Sequence, residues 1–212
     1  MEFFAEWRSR ERAVEAEGLL RRVGVNYDCC HLALEFESPR EALDRLKDAG
    51  LRLSKLHLSS ALRVRPDSAG RAALAAFVEP TYLHQVVVGR GGEGKVRRRF
   101  IDLPDALADS EPSHPDDEWR VHFHLPLHAA PGTPFADTRD HLLGALDWLQ
   151  AHSGLCEHIE METYTWEVLP PALRIGIEDQ LVREYAWTLA AMAERGLANA
   201  ALAESLVGET RL

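Results

Sequence analysis

Along most of this 212-residue chain, segments with the apolar spacing of helices alternate with short runs typical of β-strands. The runs with strand composition are 23–28, 51–60, 119–126 and 156–165. The segments with helical character are 2–22, 39–49, 137–154 and 172–195. This alternation predicts an α/β fold of parallel strands joined by helices. In such folds the carboxyl ends of the strands meet at one edge, where active sites lie.

The ends of the second predicted helix are marked by residues with known capping preferences. Ser38 is predicted as its N-cap, Pro39 as its first helical residue and Gly50 as the residue just past its end. The stretch from about 64 to 118 interrupts the alternation, since two strand-like runs there flank the glycine-rich turn 90–94. We predict an insertion of a helix and a β-hairpin there, within a single domain covering 1–212.

Charge and composition exclude several classes of function. The chain has 34 acidic and 24 basic side chains, a net charge of -10, and an acidic surface repels nucleic-acid phosphates. No apolar run of about 18 residues occurs, so no transmembrane helix is predicted. Three cysteines, two of them adjacent, are a poor disulfide framework and indicate a cytoplasmic location. No base lies at a fixed spacing from Cys30, so a nucleophilic role for it is not favoured.

Metal-ligating residue types lie at or near the carboxyl end of every predicted strand. Side chains two apart on a strand share a face, which pairs the two histidines of 119–126 and the two glutamates of 156–165. Imidazole and carboxylate bind divalent ions such as Zn²⁺ or Mn²⁺, and a cation would relieve repulsion between neighbouring carboxylates. The predicted metal ligands are Asp28, His31, His57, His122, His124 and Glu162.

Simpler roles for individual residues stay open. A lone histidine in a strand is usually a satisfied buried residue, and Asp28 would also cap a turn that follows it. Tyr164 and Trp166 are predicted to stack on a ligand at the mouth of the site, with core packing as the alternative. Glu160 and Ser59 complete the predicted substrate contacts, although Ser59 would also suit a turn after its strand.

The strand-end motifs resemble the second half of the xylose-isomerase-like TIM barrels, which include sugar-phosphate isomerases, epimerases and endonuclease IV. The segments that carry the resemblance are "YDCCH", "KLHLSSALRV", "VHFHLPLH" and "IEMETYTWEVLP". It implies a partial TIM barrel whose strands match the fifth to eighth. The ligands that it implies are Asp28, His31, His57, His124 and Glu162. His122 stands where endonuclease IV carries aspartate, which argues against transfer of a trinuclear zinc site.

Three motifs separated by a long insertion are similar to the EboE family of metabolite-traffic proteins. They are "HLSSALRV", "HFHLPLH" and "ETYTWEVLP", and the similarity covers about residues 20–172. It implies a small polar or prenylated metabolite bound at the strand ends. A complete barrel needs eight βα units and about 250 residues, whereas this chain supplies four units. We therefore expect a missing N-terminal half-barrel or a homodimer.

Four functions compete on these patterns. The first is an EboE-like metabolite-traffic protein with a metal-binding site. The second is a metal-dependent sugar-phosphate isomerase or epimerase, in which Glu162 moves the proton and His57 is the other catalytic residue. The third is a scaffold or an inactive barrel fragment. The fourth, an endonuclease IV-like enzyme, is disfavoured by the acidic charge and the absent aspartate.

Overall fold

A computed structural model describes Gly18 and residues 22–90 and 94–199. The predicted helix over 2–22 falls almost entirely outside these residues. A parallel sheet contains, in spatial order, β1 (Val25–Asp28), β2 (Leu53–Leu58) and β8 (Ile159–Met161). An antiparallel sheet contains β3 (Ala61–Val64), β4 (Val86–Arg90), β5 (Val96–Phe100), β6 (Asp117–His124) and β7 (Phe135–Asp137). Its spatial order is β5-β4-β6-β3-β7.

Six α-helices lie in the described part of the chain. They are α1 (Cys29–Leu34), α2 (Pro39–Asp48), α3 (Ser68–Leu74), α4 (Leu103–Ala108), α5 (Arg139–Ala151) and α6 (Ile177–Ala193). Both predicted ends of α2 are confirmed. The Glu41 N–H donates to the Ser38 hydroxyl, and Gly50 has a φ of 64°, a left-handed conformation that glycine adopts without strain.

The prediction that 119–126 is a parallel strand is wrong. This segment forms most of β6, which pairs antiparallel with β3 on one side and with β4 on the other. The chain reverses direction immediately after β2 and enters the antiparallel sheet as β3, which pairs with β6. The strand that pairs with β2 in parallel, on the side away from β1, is therefore β8 and not β6. The fold is mixed α/β, and the described strands form no closed barrel.

The insertion is larger than predicted. The expected β-hairpin is confirmed as β4 and β5, but the antiparallel sheet also takes in β3, β6 and β7, so it covers residues from 61 to 137. The run 51–60 ends as a strand at Leu58, and β3 begins three residues later. The turn between them joins the carboxyl end of the parallel sheet to the antiparallel sheet.

Two large hydrophobic clusters support the two sheets, and a third, smaller one contains Cys30, Leu34, Phe36, Ala61 and Val87. The first contains Leu56 and Leu58 of the parallel sheet together with Leu142 and Leu146 of α5. The second packs the antiparallel sheet against α3 and α4, and Phe123 of β6 is fully buried within it. Because side chains alternate along a strand, the neighbours of Phe123 point to the opposite face of β6. Those neighbours are His122 and His124.

The buried His141 on α5 makes the fold sensitive to acid. Its Nε2 lies 2.9 Å from the Tyr27 hydroxyl, and burial lowers the pKa of His141 to about 4. The unfolded chain takes up this proton near pH 6.5. Stability from the neutral ring is therefore complete above that pH and is lost as the pH falls toward the folded value.

We expect the free energy of unfolding to fall as the pH is lowered from neutral to about 4, and to fall less steeply in His141→Gln. Denaturant titrations at each pH measure both slopes. Other buried imidazoles also contribute, so the variant keeps part of the dependence. Equal slopes in the two proteins would show that His141 is not one of the groups responsible.

Candidate metal centre

The register of the parallel sheet brings three predicted site residues side by side. Asp28 is the Cα partner of His57, and His57 is the Cα partner of Glu160. Glu162 follows β8, where its N–H donates to the Leu58 carbonyl. The His57 Nδ1 atom lies 3.4 Å from Asp28 Oδ2 and 3.2 Å from Glu162 Oε2. Three strand ends thus converge at one point, whereas the sequence predicted four.

The Asp28 carboxylate has two roles, one for each oxygen. Its Oδ1 accepts hydrogen bonds from the His31 N–H and the Ser59 hydroxyl, at 3.1 and 2.8 Å. The first of these bonds caps α1, so the simpler interpretation of Asp28 is confirmed. The same bonds turn Oδ2 toward His57. The cap therefore orients the carboxylate and leaves the second oxygen available as a ligand.

The predicted substrate contact at Ser59 does not fit its placement. Ser59 is fully buried, and its hydroxyl donates to Asp28 while accepting the Cys30 N–H. A hydroxyl committed in this way cannot also reach a ligand at the surface. Its role is to hold Asp28, at the end of β1, and Cys30, at the start of α1, in position.

The histidines of β6 and the His31 ring form a cluster of imidazoles. The ring centroids of His31 and His122 are 4.5 Å apart, and those of His122 and His124 are 5.2 Å apart. The His124 Nδ1 lies 2.8 Å from the Glu162 carbonyl. Since a carbonyl only accepts, Nδ1 carries the proton and Nε2 carries a lone pair. This tautomer suits a metal ligand.

Two ring nitrogens of this cluster lack a hydrogen-bond partner among the described residues. They are Nε2 of His122 and Nε2 of His124, both buried. Burial lowers the pKa of His122 to about 3, helped by the neighbouring imidazoles, and burial also lowers the pKa of His124. Both rings are therefore neutral near pH 7. A buried polar nitrogen without a partner is unfavourable, and a metal ion that binds the ring nitrogens would remove this cost.

In each of three groups of side chains, the ligand atoms of that group all lie within 4.8 Å of one another. We call them the outer, middle and inner groups. The outer group is Asp28, His57 and Glu162; the middle group is Asp28, His31 and His124; the inner group is Cys30, His122 and His124. Asp28 and His124 each belong to two groups, so the three form one continuous cluster.

The two carboxyl groups of the outer group differ in proton affinity. Burial raises the pKa of Glu162, and hydrogen bonding to Asp28 and its negative charge add to this rise. Burial would also raise the pKa of Asp28, but the hydrogen bonds from His31 and Ser59 outweigh it and hold that pKa below its usual range. The pair therefore holds one proton on Glu162 to higher pH than a free glutamate would, while Asp28 stays ionised.

Aromatic residues line one side of the cluster. The half-buried Tyr164 lies with its ring 4.6 Å from that of His124 and 5.0 Å from that of Tyr82. Trp166 lies elsewhere, because its Nε1 donates to the Ile175 carbonyl and its ring packs on the second hydrophobic cluster. The structure therefore supports the core-packing alternative for Trp166 and places only Tyr164 beside the predicted ligands.

The exposed Glu160 stands at the edge of the outer group. Its Oε2 is 2.5 Å from Lys55 Nζ and 3.5 Å from His57 Nε2. Sequence reasoning missed Asn26, whose Nδ2 is 3.2 Å from His57 Nδ1. Strand alternation could have found it, because Asn26 and Asp28 share a face of β1. These polar groups give the outer end of the cluster its open, charged surface.

Comparison with models of protein families, with curated proteins and with solved structures gives no match. The resemblance to the EboE family and to the xylose-isomerase-like barrels therefore stays a prediction. Among the residues that the structure describes, no helix has both the length and the apolar character required to cross a membrane.

Proposed function

We propose that this chain is a metal-dependent protein that binds a small polar metabolite at the carboxyl end of its parallel sheet. The observation that carries the proposal is the fully buried His124, whose Nε2 has no hydrogen-bond partner among the described residues and which belongs to two of the three ligand groups. A buried imidazole kept neutral and without a donor partner is costly unless a cation binds it. Asp28 supplies a permanent negative charge nearby.

The chemistry of the outer and middle groups suits Zn²⁺ or Mn²⁺, because both ions accept nitrogen and carboxylate ligands. The residues that would hold the ion are Asp28, His31, His57, His124 and Glu162. A bound ion would supply Lewis-acid polarisation of a carbonyl or hydroxyl oxygen. The chain's own contribution is to fix the ligands through the Asp28 cap and the hydrogen bond from His124 to the Glu162 carbonyl.

The surroundings of the site favour a small ligand with both polar and apolar parts. Tyr82 and Tyr164 present aromatic rings beside the cluster, and Glu160 and Lys55 present opposite charges at its rim. This combination fits the small polar or prenylated metabolite that the EboE-like resemblance implies. The net charge of -10 speaks against nucleic acid as the ligand.

A metal-dependent sugar-phosphate isomerase or epimerase is the second candidate. The observation that favours it is the contrast between Glu162, whose pKa is raised, and the ionised Asp28 beside it. A carboxyl group that holds its proton closer to neutral pH suits general acid and base catalysis. Turnover of a panel of sugar phosphates with Zn²⁺ or Mn²⁺ tests this candidate, and no turnover of any of them would remove it.

The edges of the parallel sheet bear on the assembly that we propose. Within the described residues, β1 and β8 each pair only with β2. Unpaired strand edges are available for pairing with another chain. A homodimer or a further half-barrel would supply such partners, and native mass spectrometry reports the oligomeric state in the same experiment as metal content.

The test of the main proposal is native mass spectrometry of the full chain with zinc at neutral pH. We expect at least one ion per chain. A zinc site with an open position uses three protein ligands, and each of the three groups offers three. Asp28→Ala and His31→Ala are expected to lower the zinc content without loss of the circular dichroism of the folded chain. His114→Ala, at an exposed histidine outside the three groups, is the control. Unchanged zinc content in both site variants would refute the proposal.

A further inference from the structure

We propose that Cys30 is a metal ligand, and that with His122 and His124 it forms an inner position for a thiophilic divalent ion such as Zn²⁺. This inference rests on the proposed metal site, because the inner group shares His124 with it. It adds a ligand type that the outer and middle groups lack. It also favours zinc over manganese for the whole cluster, since thiolate ligands select softer ions.

The fold holds Cys30 in place through the residue that orients Asp28. The Cys30 N–H donates to the Ser59 hydroxyl oxygen at 2.9 Å, and that hydroxyl donates to Asp28 Oδ1 at 2.8 Å. One buried serine therefore positions both a carboxylate and a cysteine at the start of α1. Cys30 is itself fully buried beside Leu34 and Phe36, and its sulfur is one of the ligand atoms of the inner group.

The ligand atoms of the inner group are close enough to bind one ion after small shifts. Cys30 Sγ and one nitrogen each of His122 and His124 lie within 4.8 Å of one another. Ligands at about 2.0–2.3 Å from a tetrahedral ion are about 3.3–3.6 Å apart. Side-chain movements of about 1 Å would therefore close the group, leaving a fourth position for another ligand.

The unpartnered nitrogens point to a ligand at this place. Nε2 of His122 and Nε2 of His124 are both buried and have no hydrogen-bond partner among the described residues. Two unpartnered ring nitrogens and a thiol thus lie in one buried space. A zinc ion would accept both nitrogens and the sulfur, and the thiol proton would leave to solvent as the ion binds.

The adjacent Cys29 provides a matched comparison. It is also fully buried, but it packs in the first hydrophobic cluster with Tyr27 and Leu56. It belongs to none of the three ligand groups. Apolar residues thus surround both cysteines, and what separates them is that only the sulfur of Cys30 belongs to a ligand group.

Cobalt titration of the reduced, full-length chain tests the inference, since Co²⁺ replaces zinc and reports its ligands in its absorption spectrum. We expect a near-ultraviolet charge-transfer band from thiolate to cobalt in the unmodified chain and in Cys29→Ser. We expect no such band in Cys30→Ser, together with at least about a tenfold loss of cobalt affinity, because even second-sphere changes cost 10–100-fold.

The double variant Cys29→Ser/Cys156→Ser leaves Cys30 as the one cysteine of the chain. Retention of the band there supports the inference even if Cys30→Ser fails to fold. Cobalt binding with visible absorption but without the thiolate band would overturn the role of Cys30 and leave the proposed metal site standing. A band that persists in folded Cys30→Ser would also overturn it. No cobalt binding by the unmodified chain would overturn both proposals.

Discussion

Replacement of His124 by alanine is expected to lower the affinity for zinc by more than about 100-fold, because the loss of a direct ligand exceeds the 10–100-fold cost of second-sphere changes. His124 is the imidazole shared by the middle and inner groups. Its loss also removes the hydrogen bond to the Glu162 carbonyl, so the outer group loses support at the same time. Isothermal titration calorimetry with zinc measures the effect.

His128→Ala is the matched control for this experiment. His128 also has a buried ring nitrogen without a hydrogen-bond partner among the described residues, and burial lowers its pKa. It belongs to none of the three ligand groups. We expect its zinc affinity to equal that of the unmodified chain. Equal losses in the two variants would mean that the effect arises from disturbed packing and not from a lost ligand.

Phe123→Ala is expected to destabilise the folded chain by about 3–5 kcal/mol, the range for a buried phenylalanine truncated to alanine. Phe123 is fully buried, with its ring 5.0 Å from that of Phe77 and 4.9 Å from that of His84. Such a loss is a large part of a typical stability of about 5–15 kcal/mol. Urea unfolding of the metal-free protein measures it.

The position of Phe123 between the two histidines of β6 links this prediction to the metal site. Zinc that binds only the folded chain should recover part of the lost stability. It should recover none in the double variant Phe123→Ala/His124→Ala. Ile101→Ala, at a side chain that is 75% exposed, is the control and should change stability by less than about 0.5 kcal/mol. A loss below about 1 kcal/mol in Phe123→Ala would contradict the burial of β6 in the second hydrophobic cluster.

The local signals of the sequence predicted the local structure well. The limits of α2 could be predicted because Ser38, Pro39 and Gly50 act on the backbone beside them, and the structure confirms these limits. The direction of β6 was not predictable in this way, because it is set by its partners β3 and β4. A strand of four residues that begins three residues after β2 ends has no periodicity of its own. The predicted run therefore ends at 60, and no strand over 61–64 is predicted from the sequence.

The candidate site could likewise be predicted only in part. Asp28, His57 and Glu162 could be placed together because parallel strands end at one edge. The inner group could not, since α1 has six residues and gives no helical pattern that would turn Cys30 toward β6. Tyr82 belongs to the insertion and lies beside Tyr164. Its position depends on how the strands of the insertion pair, and the sequence around Tyr82 carries no signal for that pairing.

The most direct measurement is X-ray diffraction from crystals of the zinc-loaded chain, with data collected on both sides of the zinc absorption edge. We predict an anomalous peak at about 2.0–2.1 Å from the Nε2 atom of His124, the usual zinc–imidazole distance. A peak there, with Asp28 or Cys30 as a further ligand, would establish the metal centre. Zinc found only at exposed carboxylates, with the three imidazoles of the cluster unliganded, would contradict it.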